Sequence, residues 1–518
     1  MKKIIYTLFL LPLFIFSQNV DVADDAEILI ESGATMTVDG SITTNTSGSM
    51  IIETGTTSSG SLIATEAGGS QGKGITLRRY LDGDSEWALI GVPVTGETAD
   101  DVDDDLRANL LTNKRALGYF DPTSNDGEFV YYTDGATDEL TNGRGYAISP
   151  QAAGSLDFTG TMAYEDVTYE LEEGTGSYGK WNLVGNPFPS YLNMTDDANN
   201  QGDNFLDLNE IFLDDEYFGV YAWDGTQYVT YNHFSETINY IAPGEGFFVY
   251  TAEGGGEVSF NESLQASTAT VLAVGQGNNF NADIARGAKS ENVRREFVYI
   301  EIKNRLTEKT DITKVYFTDD DRASKGLDRG YDAGKFSSGL ESTIYTRLVE
   351  EDKGTNFMLQ VLPHGDLNEL VIPLGIDTKS SSLDLSIKES SIDDFYNLYL
   401  HDKLKNTIVE LDRTINLEFN QNEINDGRFY LIFTDGSIPE LPTDDNLRIF
   451  KVSEGEIKLM GDYDTNYNAQ IFDFTGRLIK EVEFKHQTKV DRLGKGVQIL
   501  KIKSDINQEI TTKKFILN

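Results

Sequence analysis

Cysteine is absent from the 518 residues. That excludes disulfides, thiol nucleophiles, thiolate metal sites and a lipid on an N-terminal cysteine. A chain of this length needs no disulfides, because its cores are large enough without them. Imidazole is nearly as scarce: His233, His364, His401 and His486 are the four histidines. None stands in a His-x-x-x-His spacing, which argues against a zinc site or a His-dependent triad. Lysine and arginine are missing from Trp181 to Ala285, and the net charge of the whole chain is −42. A surface of that sign repels phosphate backbones and anionic membranes, so no nucleic-acid partner is expected. Long apolar runs are missing as well. The one candidate, Ile4 to Phe16, is shorter than the roughly 20 residues a spanning helix needs.

What is plentiful is aromatic side chains (25 Tyr and 28 Phe) and glycine (48). Short strands packed through aromatic faces and joined by glycine turns use residues in this way, whereas long helices want more Ala, Leu and Lys. The fold class expected is all-β and multidomain. One stretch organises the rest, Trp181-Asn182-Leu183-Val184-Gly185-Asn186-Pro187-Phe188-Pro189-Ser190, because the chain contains an earlier copy, Trp87-Ala88-Leu89-Ile90-Gly91-Val92-Pro93. Tyr119-Phe120-Asp121 answers to Tyr221-Ala222-Trp223-Asp224, Phe129–Tyr132 to Tyr228–Tyr231, and Gly143-Arg144-Gly145 to Gly244-Glu245-Gly246. The offset between the copies grows only slightly from the Trp pair to the Gly-x-Gly pair. Four anchors in one order with so small a drift indicate a duplicated module.

In chain order, Lys2-Lys3, the apolar run and Ser17-Gln18 read as a signal peptide over 1–17, with cleavage after Ser17. No other stretch is apolar and long enough to span a bilayer, so no transmembrane span is expected in the mature chain. The segment 18–75 reads as β-solenoid-like, because Gly33-Ala34-Thr35, Gly48-Ser49-Met50 and Gly60-Ser61-Leu62 recur in a near-regular rhythm. Too short to stand alone, it should cap the module that follows. The two copies occupy 76–165 and 166–265 and are expected to be β-sandwich or jelly-roll-like units facing each other. Asn186-Pro187-Phe188-Pro189 should be a rigid turn, since prolines remove ladder donors. A connector at 266–292 precedes a further β-sandwich at 293–436, whose closing strand Phe429–Phe433 is apolar throughout and therefore central. A linker at 437–446 leads to a small β-sandwich at 447–518. From Asp444 onward there are 13 bases and 12 acids, while residues 18–443 carry 28 bases and 73 acids. The tail is thus a separate, nearly neutral domain.

The tail reads Ala469-Gln470-Ile471-Phe472-Asp473-Phe474-Thr475-Gly476-Arg477, then Leu493-Gly494-Lys495-Gly496-Val497, and ends with Lys513-Lys514-Phe515-Ile516-Leu517. It resembles the C-terminal sorting domain of proteins exported by the type IX secretion system of Bacteroidota. Asp473, Gly476, Arg477, Gly496, Lys513 and Lys514 match that family's pattern. Gln498 stands where the family usually has tyrosine, and the usual Pro-Asn-Pro opening is missing near Ile449. The duplicated Trp stretch, Gly326–Ala333 and Leu398–Asp402 are similar to modules of large secreted flavobacterial proteins. The resemblance implies export through the inner membrane, then secretion or display on the outer cell surface. It also implies docking of the tail to the type IX translocon and its sorting-domain receptor.

Groups arranged for chemistry are few. With 85 acids, carboxylate pairs of the kind that hydrolyse glycosides are too many to single out. The clusters Asp100–Asp105 and Asp203–Glu216 offer oxygen ligands for calcium, but neither has the Asp-x-Asp-x-Asp-Gly loop closed by a glutamate. Trp223 and Tyr228 could stack on sugars, though both lie on predicted strands, where burial competes. No catalytic residue and no cofactor are expected, calcium being the one ion left open. The leading expectation is a non-enzymatic surface protein with an adhesive or scaffolding role, bound to surface glycans or proteins. A glycan-binding or carboxylate-dependent carbohydrate-active protein is one alternative. A structural component retained at the secretion or gliding apparatus is another.

Overall fold

The computed structural model describes residues 19–55, 58–66, 74–81, 87–195, 204–225, 227–234, 239–266, 295–337, 340–368, 370–393, 395–419, 427–436, 447–453, 455–461, 465–505 and 510–517. The segments expected as a leader (1–17) and a linker (437–446), and nearly all of the expected connector, lie outside these. The chain divides into two compact units, Met1–Asn292 with Arg329–Ser338, and Val293–Asp328 with Gly339–Asn518. Nearly every element is a strand, and the longest α-helix, Ala99–Asp103, has five residues.

In the first unit, Asn19–Val22 pairs in parallel with Ser41–Thr44, Glu27–Ile30 with Ser49–Glu53, and Thr35–Val38 with Ser61–Ala64. Asn19 lies opposite Ser41, Glu27 opposite Ser49 and Thr35 opposite Ser61. One coil therefore takes three strands, and the glycine rhythm of the sequence counts steps between sides of the coil. Val22, Ile30, Val38, Met50, Ile52 and Leu62 point inward and are buried, which is what a parallel solenoid needs to exist at all. Strand Ile75–Leu81 adds a third rung to one side and pairs antiparallel with Gly154–Met162. The solenoid thus passes into copy one within a single sheet. It also rests on copy two: Ser59 N–H donates to Tyr191 Oη at 2.9 Å and Leu62 N–H to Pro189 O at 2.8 Å.

The two copies have the same topology. Copy one orders its main sheet as Ala88–Gly91, Gly145–Ile148, Lys114–Asp121, Glu128–Thr133. Copy two orders its sheet as Trp181–Gly185, Gly246–Tyr250, Val220–Trp223, Tyr228–Tyr231. Each of these four strands has its sequence counterpart at the same place in the other copy, and copy one adds the short strand Ala108–Asn109 beside Lys114–Asp121. The Pro-Phe-Pro stretch is a turn locked by Asn186, whose fully buried amide donates to Ser190 O at 2.8 Å, Ala242 O at 3.1 Å and Ile241 O at 3.2 Å. Its carbonyl oxygen accepts from Phe188 N–H at 3.0 Å, so every polar atom of a buried amide is used.

In the second unit, one sheet runs Thr407–Glu410, Asn397–Asp402, Phe429–Thr434, Leu370–Thr378, Ser342–Thr346, Phe357–Pro363, Thr310–Thr318, Arg295–Asn304, Ser382–Ser390, Ile415–Glu418. Phe429–Thr434 is buried along its whole length and paired on both edges. The sandwich is made by this one sheet folding over itself. Phe317 and Phe433, on strands well separated in that order, bring their ring centroids to 5.1 Å, and both ends of the sheet share one core. The tail is a separate sandwich of a three-stranded sheet (Arg448–Ser453, Glu456–Met460, Gln487–Val490) and a four-stranded one (Leu478–Lys485, Asn466–Asp473, Gly496–Ser504, Ile510–Leu517).

Candidate functional site

The seam between the two copies is built from matched backbone contacts. Gly91 N–H donates to Gly244 O at 3.1 Å, and Gly185 N–H donates to Gly143 O at 3.0 Å. Because Gly91 corresponds to Gly185 and Gly143 to Gly244, the two bonds are one contact made twice, about a pseudo-twofold axis. Gly143 (φ +83°) and Gly244 (φ +71°) both hold the left-handed conformation that lets the turn reach across.

The residue between the glycines of each turn takes up a different role in each copy. Glu245, of copy two, receives the Arg79 guanidinium of copy one at 2.5 Å, with both side chains buried. Burial pushes the Glu245 carboxyl upward against the pull of Arg79. Arg144, the counterpart in copy one, donates from Nε to Tyr169 Oη of copy two at 3.0 Å and lies over the Tyr119 ring at 4.6 Å. One position of the repeat has become an acid with a buried cation, the other a cation among tyrosines.

Between the two main sheets lies an aromatic core that includes Phe120, Phe129, Trp181, Tyr221, Tyr228 and Phe248. The segment Arg329–Ser338, far along the chain, completes it. Phe336 stacks on Trp181 at 4.0 Å and meets Tyr228 at 4.2 Å and Phe248 at 4.9 Å. Tyr221 Oη donates to Gly334 O at 2.9 Å, and Asn232 Nδ2 to Tyr331 O at 2.9 Å. Arg329 lies over the Phe218 ring at 4.4 Å and pairs with Asp215 at 3.0 Å. Tyr228 is buried in this core and edges Trp223, which stays partly exposed, at 4.9 Å.

Several acids of the two clusters meet partners nearby, while Asp203 lies outside the described residues. Asp101 takes the Thr98 backbone N–H at 2.9 Å and its hydroxyl at 2.6 Å, capping the short helix. Asp104 faces Arg115 at 3.7 Å. In the second cluster Asp207 Oδ1 lies 2.8 Å from His233 Nε2, Asp214 faces Lys180 at 3.9 Å, and Glu210 with Asp215 holds Arg329. Among the described residues no three His, Asp or Glu side chains converge as a metal cage would. His364 contacts Glu296 at 3.1 Å, and His486 contacts Gly461 O at 3.0 Å. Burial lowers the pKa of His401.

The residues singled out in the tail fall on one sheet. Asp473 ends Asn466–Asp473 and builds the hairpin that follows: its Oδ1 accepts from the Thr475 hydroxyl at 2.5 Å, Thr475 N–H at 2.9 Å and Arg477 N–H at 3.1 Å. Its other oxygen takes Arg477 Nε at 3.0 Å. These bonds, the Thr475 hydroxyl foremost, lower the Asp473 carboxyl to about 2. Gly476 supplies the positive φ of +84° the turn requires. Gly496 opens the strand Gly496–Ser504, opposite Leu517. Lys513 lies opposite Leu500 and donates to Leu447 O, while Lys514 lies opposite Ile499. Gln498 is buried and donates to Gly494 O at 2.9 Å.

The partnership of Phe336 with Trp181, and the cross-copy use of Arg79, Arg144 and Tyr169, are not visible in the sequence. Only the matched position of Arg144 and Glu245 within the two Gly-x-Gly turns points toward them.

No sequence among functionally curated proteins matches this chain. Among solved structures, PorZ of Porphyromonas gingivalis, described as an essential surface component of its type-IX secretion system, aligns with 80% of this chain and 76% of its own. The identity is 8% and the TM-score 0.15, values that establish no common fold. Residues 14–433 match a family model described as a domain of unknown function, DUF8693, which leaves the tail sandwich outside the match. The chain belongs to the DUF8693 family.

Proposed function

We propose that this is a non-enzymatic, exported multidomain β protein that works at the outer cell surface in an adhesive or scaffolding role. The observation that carries the reading is the tail. It is a separate sandwich in which Asp473, Gly476 and Arg477 together form one exposed hairpin. An exposed, self-contained turn of this kind is a surface a receptor can read, and its sequence resembles the type IX sorting signal. The secretory leader expected at 1–17 supports the same route. The remaining architecture, a solenoid cap, a duplicated module and a sandwich, is of the kind that presents surface.

The test is the intact mass of the protein from cells and from medium. Loss of the leader 1–17 and of the tail sandwich 447–518 is expected for cargo released from the sorting machinery. A mature protein that keeps its tail favours the second reading, a component retained at the secretion or gliding apparatus. Gln498 is the observation behind that alternative, since it fills a buried position where sorting domains usually carry tyrosine. Retention of the leader in the surface fraction would sink both.

A further inference from the structure

Arg144 has no carboxylate partner among the described residues, in a chain with 85 acids. Its counterpart in the repeat, Glu245, is buried against Arg79. The two equivalent positions therefore differ: one is a buried ion pair, and the other is a partly buried cation held by tyrosines. The guanidinium is held as a recognition group is held. Nε is anchored on Tyr169 Oη at 3.0 Å, the plane is set over the Tyr119 ring at 4.6 Å, and Tyr169 flanks it at 5.8 Å. The backbone beneath is fixed by the Gly185 to Gly143 bond and by Arg144 N–H on Thr141 O at 3.2 Å. Each terminal nitrogen of the fork carries two N–H donors, and neither nitrogen is both buried and unbonded.

The walls are tyrosine. Tyr119, Tyr132 and Tyr169 are each partly exposed, Tyr119 and Tyr132 meet at 5.8 Å, and the hydroxyls of Tyr132 and Tyr146 lie near the guanidinium. Tyr146 is buried and its hydroxyl accepts Thr141 N–H at 2.7 Å. An acid near Tyr132 is Asp138, which is exposed. With Nε held by Tyr169, the edge between the two terminal nitrogens is the one left to meet a carboxylate bidentately. A phosphate dianion would call for further cations or a nest of backbone N–H groups, and the described residues of the notch offer neither. Partly exposed aromatic faces with phenolic hydroxyls suit a ring that has an apolar face and polar edges.

We propose that the notch formed by Arg144, Tyr119, Tyr132 and Tyr169 binds the carboxylate of an acidic sugar, a uronate at the end or side of a short glycan. The inference gives a ligand class to the surface-protein reading and rests on that reading only for its biological setting. The binding itself is a property of the purified chain, so its failure and a failure of export are separate results.

The experiment is titration of the full mature chain with a glucuronate-terminated disaccharide, followed by calorimetry and by saturation-transfer NMR on the sugar ring protons. Saturation of the ring protons is expected, with affinity lost about tenfold or more in Arg144→Gln, one charge-assisted bidentate contact being the difference. Arg144→Lys keeps the charge, loses the fork and should also weaken binding, and Tyr169→Phe should weaken it less. Thermal melts establish that each variant is folded. Should Arg144→Gln fail to fold, Tyr169→Phe and the methyl ester of the disaccharide, which should not bind, carry the test. No saturation with the wild-type chain overturns the proposal. So does equal affinity for the methyl ester, or acetate binding as tightly as the sugar acid.

Discussion

Gly91 and Gly185 stand back to back on the pseudo-twofold axis. A Cβ added to Gly91 would meet Gly185 Cα at 2.9 Å, and one added to Gly185 would meet Gly91 Cα at 2.5 Å. The atoms met are backbone, which cannot swing aside as a side-chain tip can. Gly185→Ala should therefore destabilise the first unit by about 3 kcal/mol or prevent its folding, the upper range of overpacking costs. Gly154→Ala, with nothing within 4 Å of the new methyl, is the control and should change stability by less than about 0.5 kcal/mol. Urea unfolding monitored by tryptophan fluorescence separates the two.

Phe336→Ala removes the ring stacked on Trp181 at 4.0 Å. A buried phenylalanine deleted from a packed core costs about 3–5 kcal/mol. Trp181 should report the change directly, through a shifted emission maximum in the folded state and an earlier unfolding midpoint. Tyr221→Phe should cost less, about 1–3 kcal/mol, because it leaves the buried Gly334 carbonyl without its donor. A Phe336→Ala protein as stable as the parent would mean that the segment Arg329–Ser338 is not part of the first unit.

These two sites mark what a reader of the sequence can and cannot see. The duplication is legible because the Trp strand and the Gly-x-Gly turn are local patterns, repeated in order. The Pro-Phe-Pro turn is legible because proline forbids the alternative. Phe336 is not, since its meaning lies in Trp181, far earlier in the chain, and nothing in Gly334-Lys335-Phe336 marks a docking strand. The solenoid is legible as a rhythm but not as a register. Gly33, Gly48 and Gly60 each precede a strand, yet only the parallel pairing of Thr35 with Ser61 reveals which strands share a side. Arg144 is visible as a residue of the repeat, while its tyrosine surroundings come from two copies and need the fold.

Arg428 and Asp402 form a buried bidentate pair in the second unit, Nε to Oδ1 at 2.9 Å and Nη2 to Oδ2 at 2.7 Å. Removing one partner leaves a buried charge, so Arg428→Met should cost about 3–5 kcal/mol. Replacing both, with Arg428→Met and Asp402→Leu, should recover much of that loss. Asp402 also accepts Leu404 N–H at 3.0 Å, which keeps the recovery incomplete. A double-mutant cycle in urea supplies the coupling directly.

Glu97 should give the first unit a pH dependence. The residue is 6% exposed, and burial pushes its carboxyl up to about 7, against the Thr159 N–H bond that pulls it down. A carboxyl with a raised folded value binds its proton more tightly when folded. Its contribution is fully present below the unfolded value near 4.5 and is lost as pH rises toward about 7. Glu97→Gln should remove that part of the slope, making the variant relatively more stable at pH 8 than the parent and little different at pH 4. Melting temperatures of both chains across that range provide the check, and parallel curves would show that Glu97 stays ionised.

Asp473 should show the opposite sign. Its folded value, about 2, lies below the ordinary one, so what it contributes to the hairpin is present above about pH 4 and disappears as pH falls toward 2. Asp473→Asn should lose the acid sensitivity of the Thr475 and Arg477 amides, which proton NMR shifts follow residue by residue. The turn is exposed, and the tail's core is built from residues such as Leu459, Ile471 and Leu500, so the variant should remain folded. If the hairpin is what the sorting machinery reads, Asp473→Ala should leave a folded, leader-cleaved chain inside the outer membrane. Normal surface delivery of that variant would show that recognition lies elsewhere on the tail, with Gly496, Lys513 and Lys514 the next positions to change.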